Sequence, residues 1–359
     1  MNNGEEFVVS FVHGYTDPNH KVEQENLPAL WSVDSKGGQK VHEYPFPRNV
    51  SDFFGRSDLV LGEMPLASAA DFRKLPRFGF TGLGESGDYL YAGSWNGVYK
   101  MRKKDLSLER IISNHLMNDL HGIYVNEAHI ISILTGKDTV VLSDHDGSIV
   151  DHFTVGSDLS IYTDSQLAEV DWRFISKQFR GATGVWHFNY VQKFGEEIWL
   201  TSRNIAGFVV VNLRTRTSHL RTMNHMTPVL LHDGVFNEGQ FLFTSVDGKI
   251  IIAESVETAR FSSREEGENV EQFNRDLMTQ LIRIEETEFD REPNWCRGIA
   301  RVGEVIYVTV DGRYDTDLSF GLLGLKQSGE KVLETRLRWK DIGSENDLRY
   351  VTGFDILAL

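Results

Sequence analysis

Short apolar runs recur along the whole chain, at Phe7–Phe11, Tyr89–Ser94, Ile130–Leu134, Thr139–Leu142, Ile198–Thr201, Phe208–Leu213, Phe241–Ser245, Lys249–Ala253, Val305–Val310 and Leu318–Leu325. Each is short and rich in β-branched and aromatic residues, and clusters of Gly, Asp and Asn separate them. That pattern predicts many short strands rather than helices, and so a sandwich, a barrel or a propeller.

A weak internal repeat decides between these. One unit opens on His121-Gly122-Ile123 and continues through Ile130–Leu134, Thr139–Leu142 and Ile149–Phe153. A second opens on Arg297-Gly298-Ile299, a third on Thr81-Gly82-Leu83, and each runs on through three further strands. An opening strand, a hairpin and two more strands make a four-stranded meander, the blade of a propeller. Two more units start near Trp186-His187-Phe188-Asn189 and Leu231-His232-Asp233-Gly234. The last opening, Thr352-Gly353-Phe354, stands close to the end of the chain, so its missing strands must come from Phe7–Phe11, Ala29–Asp34 and Lys40–Phe46. The sequence thus predicts one all-β propeller domain over 1–359, six blades with five or seven as alternatives, closed by pairing terminal strands in one blade. Closure removes free sheet edges. Units spaced wider than the roughly 40 to 45 residues of a blade imply insertions near 50–77, 156–182 and 257–293. In the last of these, Val270–Gln280 has a helical pattern. An asymmetric pair of β-sandwiches is the alternative architecture.

The inner strands of a propeller converge on its central channel, which places the candidate chemistry. The residues that open the units are Thr81, His121, Arg297 and Thr352, with His187 and His232 at or beside the same place. Aligning on the hairpins instead sets Asn189 and Asp233 level with Arg297. His121 and His187 then still face the channel, because strand side chains alternate with period two, while His232 and Asp233 become alternatives. Loops on the same rim add Trp95, Lys137 and Asp138, Arg203, Asp311, Arg313 and Tyr314. Arginines beside aromatic rings suit a carboxylate, a sulfate or a sugar acid, whose geometry fits the guanidinium fork. Other conspicuous residues have structural readings. The Asp146-Gly147, Asp247-Gly248 and Asp311-Gly312 pairs read as turns, Trp31, Trp172 and Trp199 as packing between blades, and Cys296 as a small buried residue.

Composition narrows the partners. With 37 Lys and Arg against 52 Asp and Glu, the net charge is −15, which disfavours nucleic acid and anionic membrane surfaces. A single cysteine excludes an intramolecular disulfide framework and a Cys-rich zinc site. No apolar run approaches the roughly 18 residues of a membrane span, and the polar Met1–Glu6 stretch does not read as a signal peptide, so a cytoplasmic location is expected. The oligomeric state is open. The chain contains no phosphate-binding loop, dinucleotide fingerprint, zinc-protease helix motif or serine-hydrolase elbow.

The openings typified by Leu120-His121-Gly122-Ile123 resemble the repeats of six-bladed propellers of the NHL and gluconolactonase-like superfamily. Within it, the peptide-amidating lyases are most similar at the site, since they hold a divalent metal in the channel with three histidines from different blades. That resemblance implies His121, His187 and His232 as ligands of zinc, iron or manganese, with Arg297 and Tyr314 near the substrate. Gluconolactonase-like enzymes use carboxylate and Asn ligands, which only Asn189 and Asp233 echo. The amidating lyases are secretory and carry disulfides, and this chain departs from them there. Two functions are therefore expected. The first is a metal-assisted lyase or hydrolase acting on a small anionic or sugar-derived substrate, with His232, Asp233, Arg297 and Tyr314 catalytic. Arg203, Arg313, Trp95, Asn189, Thr81 and Thr352 would bind its substrate. The second is a non-catalytic propeller that binds a protein or glycan on the channel face.

Overall fold

The computed structural model describes residues 6–15, 28–34, 38–47, 49–56, 58–70, 78–175, 185–202, 207–222, 231–237, 240–245, 249–253, 278–283, 294–312, 319–338 and 348–359. Among them the strands form six sheets of meander order. Sheet I holds Leu348–Ala358, Glu6–Tyr15, Ala29–Asp34 and Gln39–Glu43, with Phe78–Gly79 added. Sheet II holds Gly82–Ser86, Tyr89–Gly93, Val98–Arg102 and Leu108–Ser113, with Val60–Gly62 parallel at its outer edge. Sheet III runs Leu120–Val125, Ile130–Leu134, Thr139–Ser143, Ile149–Val155 and Ile161–Tyr162. Sheet IV runs Phe188–Phe194, Glu197–Ser202, Gly207–Asn212 and Thr217–Thr222. Sheet V runs Leu231–Asn237, Gln240–Ser245, Lys249–Ala253 and Met278–Arg283, and sheet VI runs Asn294–Val302, Val305–Gly312, Ser319–Lys326 and Lys331–Arg338.

The architecture is a single β-propeller. Sheets III to VI are each one continuous stretch of chain, sheet II adds only its short edge strand from upstream, and sheet I is a composite of both chain ends. Its central pairing joins Phe7 to Ala358, Val9 to Ile356 and Phe11 to Gly353. The first strand of each sheet packs on its neighbours in the order II, III, IV, V, VI, I and back to II. Between the sheets lie aromatic layers that this alternation predicts. Trp31 meets Phe320 edge-on at 5.4 Å, Phe7 meets Tyr307 at 4.2 Å, and Trp199 stacks on Phe241 at 5.3 Å. Cys296 is fully buried among Leu242, Ile299 and Val308.

Glycines set how closely the inner strands approach. A Cβ on Gly122 would stand 2.6 Å from the Asn189 carbonyl oxygen, and one on Gly298 would stand 2.6 Å from the Asp355 Cα. The X-Gly-apolar signature is therefore a packing requirement between neighbouring inner strands.

The inner strands of sheets I and III to VI each carry a one-residue bulge. The register slips between Leu120 and Gly122, Phe188 and Val191, Leu231 and Gly234, and Cys296 and Ile299. It slips again where Gly353 and Asp355 face Phe11 and Ser10. A bulge takes a backbone amide out of the ladder, and a buried amide must find another acceptor. Hydroxyls on the second strands supply it. Thr201 accepts from Tyr190 N at 3.1 Å, Thr244 from Asp233 N at 3.3 Å, Thr309 from Gly298 N at 2.9 Å, and Ser10 from Asp355 N at 2.9 Å. Thr201 and Thr244 also donate onward to the carbonyls of His232 and Arg297 in the next sheet. One hydroxyl thus satisfies a bulge and ties two sheets.

Some expectations need correction. The helical pattern at Val270–Gln280 ends inside the strand Met278–Arg283, while 270–277 lies outside the described residues. Strand pairing with Lys249–Ala253 overrides local helical propensity there. Asp311-Gly312 is not a turn but the end of a strand, with Asp311 paired to Phe320. The insertions 50–77 and 156–182 are joined by one buried ion pair. Arg173 donates to both Asp171 carboxylate oxygens at 2.8 and 2.7 Å, and to the carbonyls of Glu63 at 2.8 Å and Met64 at 3.3 Å. Asp171 also accepts from Leu66 N at 2.9 Å, and the guanidinium lies over Phe53. Both side chains of the pair are fully buried.

Candidate functional site

The bulges place two layers of residues in the channel. The mouth layer consists of the bulge residues themselves: His121, Asn189, His232, Arg297 and Phe354, with Thr81 at the matching place in sheet II. The layer one residue further in consists of Gly82, Gly122, Tyr190, Asp233, Gly298 and Asp355.

Phe354 occupies the middle of the mouth. Its ring lies 5.8 Å from the His121 ring and 5.5 Å from the His232 ring, both edge-on, and the Arg297 guanidinium lies over it at 4.5 Å. Only 3% of Phe354 is exposed, against 8% of His121, 5% of His232 and 7% of Arg297. The polar groups that would form a small-molecule site therefore enclose an aromatic ring. His121 is fixed further by Asn189, whose Oδ1 lies 2.9 Å from His121 Nδ1, and by Asp119, 3.5 Å from Nε2. The His187 ring stands edge-on to His121 at 5.5 Å.

His187 is held by Asp138. The backbone at both residues is left-handed, with φ of 52° and 47°, a conformation that costs a non-glycine residue about 1 kcal/mol. Hydrogen bonds offset this: Asp138 accepts from Trp186 N and His187 N, each at 2.9 Å. Burial still raises the Asp138 pKa to about 6, against the lowering effect of those amides. Beside Arg297, burial raises Asp311 to about 7, with the guanidinium pulling the other way.

In the second layer stand Asp233 and Asp355, each near enough to act on the other's ionisation. Asp355 accepts from Leu83 N at 2.6 Å and Ile356 N at 2.8 Å, and Asp233 accepts from Gly234 N at 2.9 Å. Burial raises both carboxyl pKa values, Asp233 the further. Next to them, burial and their charges drive the Tyr190 phenol well above its ordinary range, and its hydroxyl donates to Gln192 Oε1 at 2.8 Å.

The placement of the expected site residues follows from these bulges. His121, Asn189, His232 and Arg297 come together at the mouth, and His187 stands beside them. His232 and Asp233 are not alternatives: the bulge turns His232 to the mouth and Asp233 to the layer below. Thr352 does not hold the position matching His121; Phe354 does, because the slip falls two residues later than the Thr-Gly motif implied. Thr81 bridges sheets II and III through the Leu120 carbonyl. Trp95 lies away from the channel, in an apolar cluster with Phe46, Phe53 and Phe174. Arg203, Arg313 and Tyr314 lie outside the described residues, as does Asp247. Sequence reasoning missed Phe354, Asp355 and Tyr190. A signal was present in Asp355, the one carboxylate of the strand Leu348–Ala358, set between Phe354 and Ile356.

Among the described residues no group of three or more His, Cys, Asp or Glu side chains is gathered to hold a metal. The donors do not fit a three-histidine centre: both His121 ring nitrogens face oxygen atoms of Asn189 and Asp119, and the Phe354 ring lies against both His121 and His232.

No family model and no curated protein matches the chain. Solved structures do. A nidogen/laminin complex aligns with 8% identity over 98% of this chain and 98% of that one, at a TM-score of 0.50. The β-propeller domain of Cps50 (Swd1) from Myceliophteria thermophila aligns with 12% identity over 85% and 82%, at a TM-score of 0.45. At these identities the likeness concerns the fold alone. Among the described residues no helix is long and apolar enough to cross a membrane.

Proposed function

We propose that this chain is a six-bladed, non-catalytic propeller that binds a protein or glycan partner on its channel face. The sixth blade is the composite sheet I, counted with the five others because its inner strand packs on those of both sheets VI and II. The observation that carries the binding reading is Phe354. A nearly fully buried ring sits among His121, His232 and Arg297, where a small substrate would otherwise meet them. Partners of such a face contact its rim rather than its centre, as extended rims of rigid scaffolds allow. Lys137, whose ammonium lies 4.7 Å over the Trp172 ring, is one such rim group.

The test is binding to a glycan array and to a proteome, followed by variants. A partner retained by Arg214→Ala, in the outer turn after Asn212, and lost on Lys137→Glu supports the reading. Turnover of a small anionic or sugar-derived substrate that disappears on His121→Ala favours the lyase or hydrolase instead.

A further inference from the structure

We propose that the channel-face partner is a protein, and that it docks an acidic residue flanked by apolar side chains on a strip of the rim running from Met64 through Lys137 to Val185. This rests on the binding reading above and narrows it. The strip is continuous by contact. Arg173 donates to the Met64 carbonyl at 3.3 Å, and its neighbour Trp172 lies under the Lys137 ammonium at 4.7 Å. Asp138, next to Lys137, accepts from the amide of Trp186 at 2.9 Å, beside Val185. Topology puts the whole strip on one face. Met64 and Val185 stand in the connections that lead into the inner strands of sheets II and IV, and Lys137 joins the second and third strands of sheet III. In a meander blade these connections share one end, the mouth end where the inner strands begin. Trp172 is tied to the same end: Asn118, just before the inner strand of sheet III, donates to its carbonyl at 2.6 Å, and its amide donates to the His115 carbonyl at 2.7 Å.

The ends of the strip are apolar and open: Met64 is 54% exposed and Val185 47%. Aliphatic side chains held out beside a fixed backbone are what a protein interface covers. A glycan needs an open aromatic face, whose negative quadrupole attracts the C–H groups of a sugar ring. The Trp172 face is covered by Lys137. The one exposed aromatic ring among the described residues, Tyr162, stands in the outer edge strand of sheet III. Charge sets the middle of the strip. Among the described residues Lys137 forms no ion pair. The adjacent Asp138 carboxylate does not neutralise it, because its two oxygens are engaged by the amides of Trp186 and His187. A carboxylate from the partner would complete the ammonium. The strip is also pre-organised, which lowers the ordering cost of docking: the Arg173 side chain next to Trp172 is fully buried and bonded to Asp171, Glu63 and Met64.

The probe is a phage-displayed random peptide library panned against the whole chain, with the selected peptides resynthesised and their Kd measured by fluorescence anisotropy. The expected selection is Asp or Glu flanked by Leu, Ile, Phe or Met. Lys137→Glu should weaken such a peptide by about tenfold or more. Exchanging the peptide's carboxylate residue for Lys should restore its binding to Lys137→Glu, a rescue that a merely structural effect of the variant would not show. Met64→Ser and Val185→Ser should each weaken binding by about threefold to tenfold, and Arg214→Ala should leave it unchanged. A library that selects no peptide, peptides without the acidic–apolar pattern, or binding indifferent to the changes at Lys137, Met64 and Val185 would each overturn the strip. A glycan or a peptide that binds elsewhere on the channel face, and is lost on changes there, overturns the strip and leaves the binding reading standing. If neither a peptide nor a glycan is lost on any channel-face change, both fall.

Discussion

Two buried carboxylate sites in this propeller behave in opposite ways. Asp171 sits against Arg173, accepts a further backbone amide, and leaves its partner's remaining donors on two carbonyls. Asp233 has another carboxyl, Asp355, acting on its ionisation in place of a guanidinium, and its carboxylate accepts from Gly234 N. Asp171 and Asp233 are both buried, so the difference between them lies in the partner. A bidentate arginine makes a buried carboxylate a permanent fastener, while a second carboxyl makes it a conditional one. The first joins two insertions outside the ring; the second lies in the channel.

Breaking the first site should have the largest effect. Arg173→Ala leaves Asp171 buried and uncompensated, at a cost of about 3–5 kcal/mol, read as a lower denaturant midpoint. The double change Arg173→Ala, Asp171→Ala should recover part of that loss; a double variant no more stable than the single would show that the pair does not act as a unit. Phe354→Ala removes the ring at the middle of the mouth, and should cost about 3 kcal/mol. Loss of under about 1 kcal/mol would mean that the ring is not packed as described.

Smaller changes sharpen the comparison. Thr244→Val keeps the shape but strands the Asp233 amide and the Arg297 carbonyl, at about 1–3 kcal/mol by equilibrium unfolding. Ser132→Ala, at a buried hydroxyl with no such bridging role among the described contacts, should cost less. The smallest effect concerns Asp311. Its pKa is raised to about 7, so its ionisation disfavours the fold as pH rises from about 4 toward 7. Asp311→Asn should flatten that part of the stability–pH curve, and a curve parallel to the unaltered protein's would contradict the assignment.

Much of the fold was legible in the sequence, and the reason is local. Period-two alternation reads strands directly, and the X-Gly-apolar openings mark places where inner strands nearly touch, as Gly122 and Gly298 do. The pairing of terminal strands followed from the incomplete unit at Thr352-Gly353-Phe354, and Glu6–Tyr15 does pair with Leu348–Ala358, with two register shifts. The site was less legible, because a bulge shifts alternation by one residue and leaves no trace in the strand that carries it. That is why Thr352 stood in for Phe354, and why His232 and Asp233 read as alternatives when both face inward. The trace lies in the neighbouring strand, in Thr201, Thr244, Thr309 and Ser10 opposite the slips. The Arg173–Asp171 fastener was hidden for another reason: its further contacts lie more than 100 residues away, at Glu63 and Leu66, where no periodicity connects them.

The most direct test of the functional account is a crystal structure at high resolution that shows what lies between His121, His232 and Arg297. The account predicts the Phe354 ring there, edge-on to both imidazoles and beneath the guanidinium. A bound metal ion or anion in that space, with Phe354 turned out of the channel, would contradict it and restore the enzyme reading.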